Sequence, residues 1–306
     1  MGDAVVVGTA PGLAGPRGRR SSLVGWTFLL PVIVLNLVVI IGPAVASIYY
    51  SLTEWSGLGA TEFVGLGNYG QLLQDANFHK AFVNNVQWTV MNLTLPVGFG
   101  LVGAALLARA RRFSMVYRVV FFIPYVIASV VNVNIWRQIY HPLKGVGPYL
   151  AQLTGLEWLN IKPLGDPDLV LYAVYFTNFW HWWGFLLVLY LAAMQAIDGD
   201  LYDAAAVEGA SGSQQFRFVT IPGILPTLMY SLLQTIIWSF LSFDYVFLMT
   251  EGGPGNASLL LAVYAYQNAF ADFRVGYAAS IGMSLSFVAA LVTLLFVMLR
   301  RRGWEV

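Results

Sequence analysis

Residues 23–50 read LVGWTFLLPVIVLNLVVIIGPAVASIYY and contain no charged side chain. A bilayer core about 30 Å thick is crossed by a helix of roughly 20 apolar residues, and this run is longer than that. Cleaved signal sequences have a shorter apolar region, of about 7–15 residues, so the small residues at 44–46 do not indicate cleavage. We therefore expect a retained first transmembrane helix and an integral membrane protein.

The composition of the whole chain supports this expectation. Of the 306 residues, 58% are hydrophobic and 10% are charged, whereas soluble domains carry about 25% charged residues. The formal net charge of +1 gives no overall attraction to nucleic acid. Cysteine is absent, which excludes disulfides and thiolate metal sites. His79, His141 and His181 lack the spacing of a helical metal site, so we expect no bound metal.

Five further apolar segments are long enough to cross a membrane. They lie at about 81–108, 118–140, 168–196, 223–249 and 275–299. With the first helix, they predict an all-α integral membrane fold with six transmembrane helices. Residues 1–22 are predicted to form a disordered cytoplasmic tail, 23–302 the transmembrane domain, and 303–306 a second cytoplasmic tail.

The positions of lysine and arginine predict the orientation, because short loops rich in these residues stay in the cytoplasm. Eleven of the 16 lie on one predicted side, which places both termini in the cytoplasm. These eleven are Arg17, Arg19, Arg20, Arg109, Arg111, Arg112, Arg118, Arg217, Arg300, Arg301 and Arg302. Three segments connect the spans on the opposite, outer side, at about 51–80, 141–167 and 250–273. The second is long enough to touch an external partner.

The inner loop between the fourth and fifth spans is LYDAAAVEGASGSQQFRFVTIPGILP at 201–226. Asp200 or Asp203 can cap the start of a helix, the three alanines that follow favour helix, and Gly209 or Gly212 can end it. A second short amphipathic piece then leads back into the membrane. The loop contains no set of residues suited to catalysis.

This loop resembles the inner loop of the permeases of binding-protein-dependent ABC importers, which has the form Glu-Ala-Ala, a short spacer, Gly, a longer spacer and an aliphatic-x-aliphatic-Pro ending. Asp203 stands in place of the leading Glu here, which keeps the charge with a shorter reach, and Pro222 closes the motif. The resemblance implies a type I importer permease fold, with 203–216 as a coupling helix in a coupling loop (198–222) that docks on a cytoplasmic ATPase. It assigns this contact to Asp203, Ala204, Ala205, Glu208, Gly209, Ala210, Phe216 and Pro222.

Two more stretches resemble the maltose-type, carbohydrate-transporting branch of these permeases. They are FVGLGNY at 63–69 and SFDYVFLMTEGGPG at 242–255. The resemblance implies a carbohydrate substrate, a second homologous permease, a dimer of ATPase subunits and an extracytoplasmic solute-binding protein. It also implies a location in the cytoplasmic membrane of a bacterium or archaeon, where the protein contacts lipid. No phosphate-binding Gly-rich loop occurs in the chain, so we expect ATP and Mg²⁺ to be used by the ATPase, with no cofactor here.

Polar residues inside the spans indicate a path for the solute. A charge in hydrocarbon costs about 2.5–3.5 kcal/mol, so ionisable residues there tend to face the bundle interior or a cavity. A sugar needs hydrogen-bonding groups and flat aromatic faces. The predicted path residues are Asn178, Trp182, Trp238, Ser242, Asp244 and Tyr245. Trp180 and Trp183 have the same character, whereas His181 is expected to be structural and Arg137 to extend outward.

Several alternative functions would require residues or patterns of their own in the sequence. An ion-driven secondary transporter usually has carboxylates at the midplane and repeated broken helices, which are scarce here. An integral-membrane enzyme would need a nucleophile with its base, a metal cluster or paired carboxylates. An ion channel would need a recognisable selectivity loop. An importer of glycerol phosphate is less favoured, because Arg137 is the only cation near a span interior.

Overall fold

The computed structural model describes residues 20–109 and 114–301, and their side chains over 26–108 and 114–298. The predicted tails therefore lie almost entirely outside the described residues, although the first helix already includes Arg20. Contacts divide the chain into two units, 1–47 and 48–306.

The described part of the first unit is helical. Helix α1 (Arg20–Asn36) continues through a π-helical turn (Leu37–Ile41) into α2 (Gly42–Ser51), which extends into the second unit. Its large apolar side chains are exposed, from Trp26 onward.

The second unit is also mostly helical. It begins with a short hairpin of β1 (Thr53–Glu54) and β2 (Glu62–Phe63), in which Thr53 pairs with Phe63. The helices that follow are α3 (Gly67–Leu72), α4 (Ala76–Arg109), α5 (Ser114–Val126), α6 (Ser129–Ile139), α7 (Val146–Thr154), α8 (Val170–Gln195), α9 (Gly199–Val207), α10 (Gly212–Gln215), α11 (Ile221–Gly223), α12 (Leu225–Phe240), α13 (Asp244–Thr250), α14 (Leu261–Phe270) and α15 (Val275–Arg301). A 3₁₀ turn (Glu157–Leu159) follows α7, and a π-helical turn (Phe216–Thr220) follows α10.

Four segments of the described chain are long and apolar enough to cross a membrane by themselves. They are Trp26–Ser51, Ala76–Ala108, Leu225–Thr250 and Val275–Met298. The number rises to as many as six if each of two bent pairs is one span: α5 with α6, at 96°, and α8 with α9, at 74°. Each predicted span overlaps one of these segments or pairs, and the fourth predicted span, at 168–196, corresponds to α8 alone.

Two of the predicted spans are interrupted, which the sequence did not predict in this form. The segment at 118–140 is a pair of helices, because Ala128 is extended (ψ 142°) and ends the helix shortly after Pro124. The segment at 223–249 breaks between α12 and α13. Non-helical backbone at membrane depth is tolerated where protein buries it or where it lines a water-filled cavity.

Close helix contacts hold the bundle together at glycines. Helix α8 packs on both α4 and α5. A Cβ at Gly184 of α8 would clash with the carbonyl oxygen of Phe121 in α5. At Gly103 of α4 it would lie 2.5 Å from the Leu187 side chain of α8. Small residues thus allow these helices to approach, as is usual in membrane bundles.

A cluster of hydrogen bonds joins the start of α4 to α14 and α15. The carboxylate of Asp75 accepts the hydroxyls of Tyr264 and Tyr277 and the amides of Asn77 and Phe78. Burial raises the pKa of Asp75, but these donors stabilise the charged form more strongly, and its pKa lies below the usual value. Burial and the neighbouring carboxylate raise the pKa of Tyr264 to about 12. Asp75 is therefore an ionised acceptor between two protonated phenols.

Candidate functional site

The coupling loop leaves the bundle through α9, which lies at 74° to α8. Asp198 caps α9 by accepting the amide of Asp200 at 3.0 Å, so the predicted caps Asp200 and Asp203 were wrong. Asp198 has extended backbone (ψ 128°) where α8 has ended, and Asp200 and Asp203 are already helical. Gly209, with φ +83°, ends this helical turn as predicted, because glycine adopts this conformation without a steric cost.

The return of the coupling loop is also built from local hydrogen bonds. Ser211 and Gln214 form a capping box at the start of α10. The hydroxyls of Tyr202 and Thr220 are 2.9 Å apart and tie α9 to the end of the π-helical turn. Phe216 packs on the bundle core with Leu228. The loop is therefore ordered by its own contacts and anchored at its base.

The predicted ATPase-coupling residues differ in exposure. Phe216, Ala205 and Ala210 are partly buried. The others are exposed: Asp203, Ala204, Glu208, Gly209 and Pro222. Within the described residues, the Asp203 and Glu208 carboxylates form no hydrogen bond or ion pair.

Exposed apolar side chains extend the surface of the coupling loop. Val207 is 89% exposed, and Leu201 and Phe218 are 55% and 67% exposed. Sequence reasoning missed Val207 and Leu201. The sequence did contain a signal for them, because exposed apolar residues in an otherwise polar inner loop are typical of a surface that contacts another protein.

A cavity of about 410 Å³, the tryptophan cavity, lies where the two interrupted spans meet. It is bordered by the α5–α6 bend at Ser129 and by the α12–α13 break at 241–243. The rings of Trp182 and Trp238 are 4.9 Å apart at its wall. Asp244 supplies the only carboxylate among the described residues that line it.

The structure brings all six predicted path residues to this cavity. Asn178, Trp182, Trp238, Ser242, Asp244 and Tyr245 line it together. Trp180 and Trp183 do not, because they pack against Trp136 and Phe179. Sequence reasoning missed six polar or aromatic lining residues: Trp88, Asn92, Ser129, Thr235, Ser239 and Phe243.

Hydrogen bonds join the cavity wall across four helices. Ser129 at the start of α6 donates to Asp244 Oδ2 at 3.0 Å, and Asn178 of α8 donates to Asn92 of α4 at 3.1 Å. The hydroxyl of Thr235 is buried without a hydrogen-bond partner in the described structure.

His181 has a structural role in the wall. Its Nε2 is 3.1 Å from the carbonyl oxygen of Ile127, which lies at the α5–α6 bend. A ring that donates this proton accepts the Tyr245 hydroxyl at Nδ1, over 2.7 Å. His181 thereby satisfies a carbonyl that the helix break leaves without an intrahelical partner. Tyr245 also receives a hydrogen bond from Asn132 at 3.4 Å.

The site contains no set of groups for covalent chemistry. Within the described residues, no cluster of three histidine, cysteine or acidic side chains could hold a metal ion. Asp244 bonds to a serine and His181 to a backbone carbonyl and a phenol, so neither activates a nucleophile. The arrangement is suited to binding: flat indole faces alternate with hydroxyl, amide and carboxylate groups around a space of ligand size.

Comparison with known proteins gives consistent matches. Residues 97–303 match the family model described as the inner membrane component of binding-protein-dependent transport systems. A probable ABC transporter permease of Bacillus subtilis, YurN, is 32% identical over 290 residues, which cover 94% of this chain and 99% of that protein. The trehalose/maltose transport system permease MalF of Thermococcus litoralis is 30% identical, with 89% and 91% of the two chains covered.

Two further matches concern sugar transport and the fold. The multiple sugar-binding transport system permease MsmF of Streptococcus mutans is 29% identical, over 91% of this chain and 95% of that protein. A chain from a bacterial ABC transporter that imports the acidic polysaccharide alginate superposes with a TM-score of 0.83 at 21% identity, covering 94% and 98% of the two chains. This chain therefore belongs to the family of inner membrane components of binding-protein-dependent transport systems.

Proposed function

We propose that this chain is one permease subunit of an ATP-driven ABC importer for a sugar, an oligosaccharide or a similar polyol. The observation that carries the proposal is the tryptophan cavity, in which two indole faces and several neutral hydrogen-bonding groups surround one carboxylate. Sugar rings present apolar C–H faces between their hydroxyl groups. Indole faces can pack on these apolar faces, and the neighbouring polar groups can bond to the hydroxyls. The relatives MalF and MsmF, which are named for sugar transport, support the same substrate class.

The importer is proposed to contain four further components. A second homologous permease completes the path, two ATPase subunits bind ATP and Mg²⁺, and an extracytoplasmic binding protein delivers the solute. The coupling loop supports an ATPase contact, because Val207 and Leu201 expose apolar surface beside the unpaired carboxylates of Asp203 and Glu208. This chain is proposed to bind no cofactor.

The proposed setting is the cytoplasmic membrane of a bacterium or archaeon, with six spans and both termini in the cytoplasm. The arginines on the predicted inner side support this orientation. In this arrangement the coupling loop is cytoplasmic, and the segment at 141–167 faces outward.

Reconstituted transport tests the proposal. We expect the complete importer in proteoliposomes to take up labelled maltose or a related oligosaccharide only with ATP. Asp244→Asn should reduce that uptake roughly tenfold, because a hydrogen bond to a charged group is worth about 1.5–3 kcal/mol. The matched control is Asp168→Asn, which removes an exposed carboxylate outside the cavity. Uptake of glycerol phosphate but of no neutral sugar would reject the carbohydrate assignment.

A further inference from the structure

A second cavity, the cationic pocket, is lined by Arg137, His141 and Lys162 and has a volume of about 320 Å³. It lies at the end of α6 opposite Ser129 and is closed on one side by Met249 of α13. None of the described residues that line it is acidic. The pocket therefore concentrates positive charge at the predicted outer surface.

The cations of the pocket have unused hydrogen-bonding capacity. Arg137 has one contact, from Nη1 to the carbonyl oxygen of Leu248 at 3.5 Å, although a guanidinium has five N–H donors. Within the described residues, neither Arg137 nor Lys162 forms an ion pair. Asp166, which borders the adjacent cavity with Lys162, instead accepts the amide of Asp168 at 2.9 Å.

His141 adds a third donor to the pocket. Its Nδ1 accepts the backbone amides of Leu143 and Lys144, at 3.2 Å each. The ring proton of the neutral imidazole is therefore on Nε2, which has no partner within the described residues. Three donor groups with unused N–H bonds match the chemistry of a carboxylate, which has about four lone-pair sites.

The surroundings of the pocket favour a protein as the source of that carboxylate. Leu143, Trp158 and Ile161, which lie in the same outer segment as His141 and Lys162, are 73%, 72% and 51% exposed. Arginine with exposed aromatic and apolar side chains is the composition of protein-binding hot spots. A solute carboxylate fits less well, because it would next meet the like charge of Asp244 in the tryptophan cavity.

We propose that the cationic pocket receives an acidic side chain of the extracytoplasmic solute-binding protein. This inference rests on the proposed function. The carboxylate lies between Arg137 and Lys162, where the guanidinium can bind it with two parallel hydrogen bonds. It competes with the carbonyl of Leu248 for Arg137. Because Leu248 belongs to α13, whose first residue is Asp244, docking acts directly on a helix that lines the tryptophan cavity.

The experiment measures docking on the assembled importer in lipid nanodiscs. The binding protein used is the one that stimulates ATP hydrolysis by the wild-type complex, and the readout is its concentration at half-maximal stimulation. Arg137→Gln with Lys162→Gln should raise this concentration at least about tenfold at low salt, and should reduce its dependence on salt. Lys144→Gln, in the same exposed segment but outside the pocket, should leave it unchanged.

The other occupants give different results. If the double variant raises the half-maximal concentration in nanodiscs of anionic lipid but not in zwitterionic nanodiscs, the pocket binds a lipid headgroup and the proposal is rejected. If the double variant raises this concentration only for binding protein loaded with a charged sugar, and docking of the solute-free protein is unchanged, the pocket binds the solute. That result would also reject the proposal. Unchanged docking of the double variant would likewise reject the proposal.

One variant separates this inference from the proposed function. Asp244→Asn should lose sugar uptake and keep wild-type docking, because Asp244 lies outside the cationic pocket. If the double variant of the pocket docks normally while Asp244→Asn loses uptake, only the docking site is wrong. If no extracytoplasmic protein stimulates the wild-type complex, the importer proposal and the docking site are both wrong.

Discussion

The coupling loop and the bundle around the tryptophan cavity distribute their apolar and charged groups in opposite ways. In the bundle, Asp244 and His181 have hydrogen-bond partners, and glycines such as Gly184 lie in contact with a neighbouring helix. In the coupling loop, Val207 is almost fully exposed and the Glu208 carboxylate has no partner among the described residues. Asp244 and His181 thus find their partners within this chain, whereas the coupling loop has the properties of half an interface.

The largest expected effect comes from the closest contact in the bundle. Gly184→Ala places a Cβ against the carbonyl oxygen of Phe121, so α5 and α8 must separate. We expect a loss of about 1–3 kcal/mol or more in stability, as for other overpacked cores. Thermal unfolding of the purified complex measures this. Gly98→Ala is the matched control, because a Cβ there has no atom within 4 Å; equal loss in both variants would contradict the packing argument.

The next effect should appear in the coupling loop without a loss of stability. Val207→Asp adds a charge to a side chain that is 89% exposed, so folding should be unaffected. A buried valine contributes about 1.5–3 kcal/mol to a contact, and its loss should weaken ATPase association at least about tenfold. Co-purification of the ATPase under mild detergent measures this.

Leu73→Asp is the control for Val207→Asp. Leu73 is 75% exposed and lies on the predicted outer side, so the same change there should leave ATPase association intact. Normal association of Val207→Asp would remove Val207 from the proposed interface and weaken the contrast between the two regions.

A smaller effect is expected inside the cavity wall. Tyr245→Phe removes the hydroxyl that bonds to His181 and Asn132 while keeping the ring. We expect a loss of about 1 kcal/mol in stability, typical of one hydrogen bond, together with slower sugar uptake. Tyr230→Phe, at an exposed tyrosine of α12, is the control. An equal response of both variants would show that the wall network contributes nothing specific.

The smallest effect concerns pH and the partly exposed carboxylate of Asp75. Its folded pKa lies below 3.8, so the stability it contributes is complete above that pH and is lost as the pH falls through the folded value. Unfolding midpoints of the wild type and Asp75→Asn should therefore differ by a constant amount above pH 3.8 and converge below it. A difference that grows on acidification would mean that the tyrosine hydrogen bonds do not favour the charged form.

Much of the fold could be predicted because long apolar runs have few alternatives to transmembrane helices. The path residues could be predicted for a related reason: an Asp244 or Asn178 in a span is costly unless it faces a cavity or a partner. Ser129 and Thr235 were missed because Ser and Thr in membrane helices commonly bond to their own backbone and carry no comparable signal.

The positions of the helix ends depended on tertiary structure. Asp198, Asp200 and Asp203 are all suitable caps, and only the end of α8 determines that Asp198 takes this role. The α5–α6 bend was likewise not readable from Pro124 alone, because proline kinks range widely in angle. At this 96° bend, the carbonyl oxygen of Ile127 accepts a hydrogen bond from a donor that α5 cannot supply, the Nε2–H of His181.

The glycine contact between α5 and α8 constrains how the protein can change shape. With Gly184 directly against the Phe121 backbone, sliding or rotation of these two helices past each other meets steric resistance, so we expect them to move together as one rigid body. We then expect the hinges where the helices are already discontinuous, at 127–128 and 241–243. Both hinges border the tryptophan cavity, so its walls can reorient about these two points while the helices beyond them keep their shape.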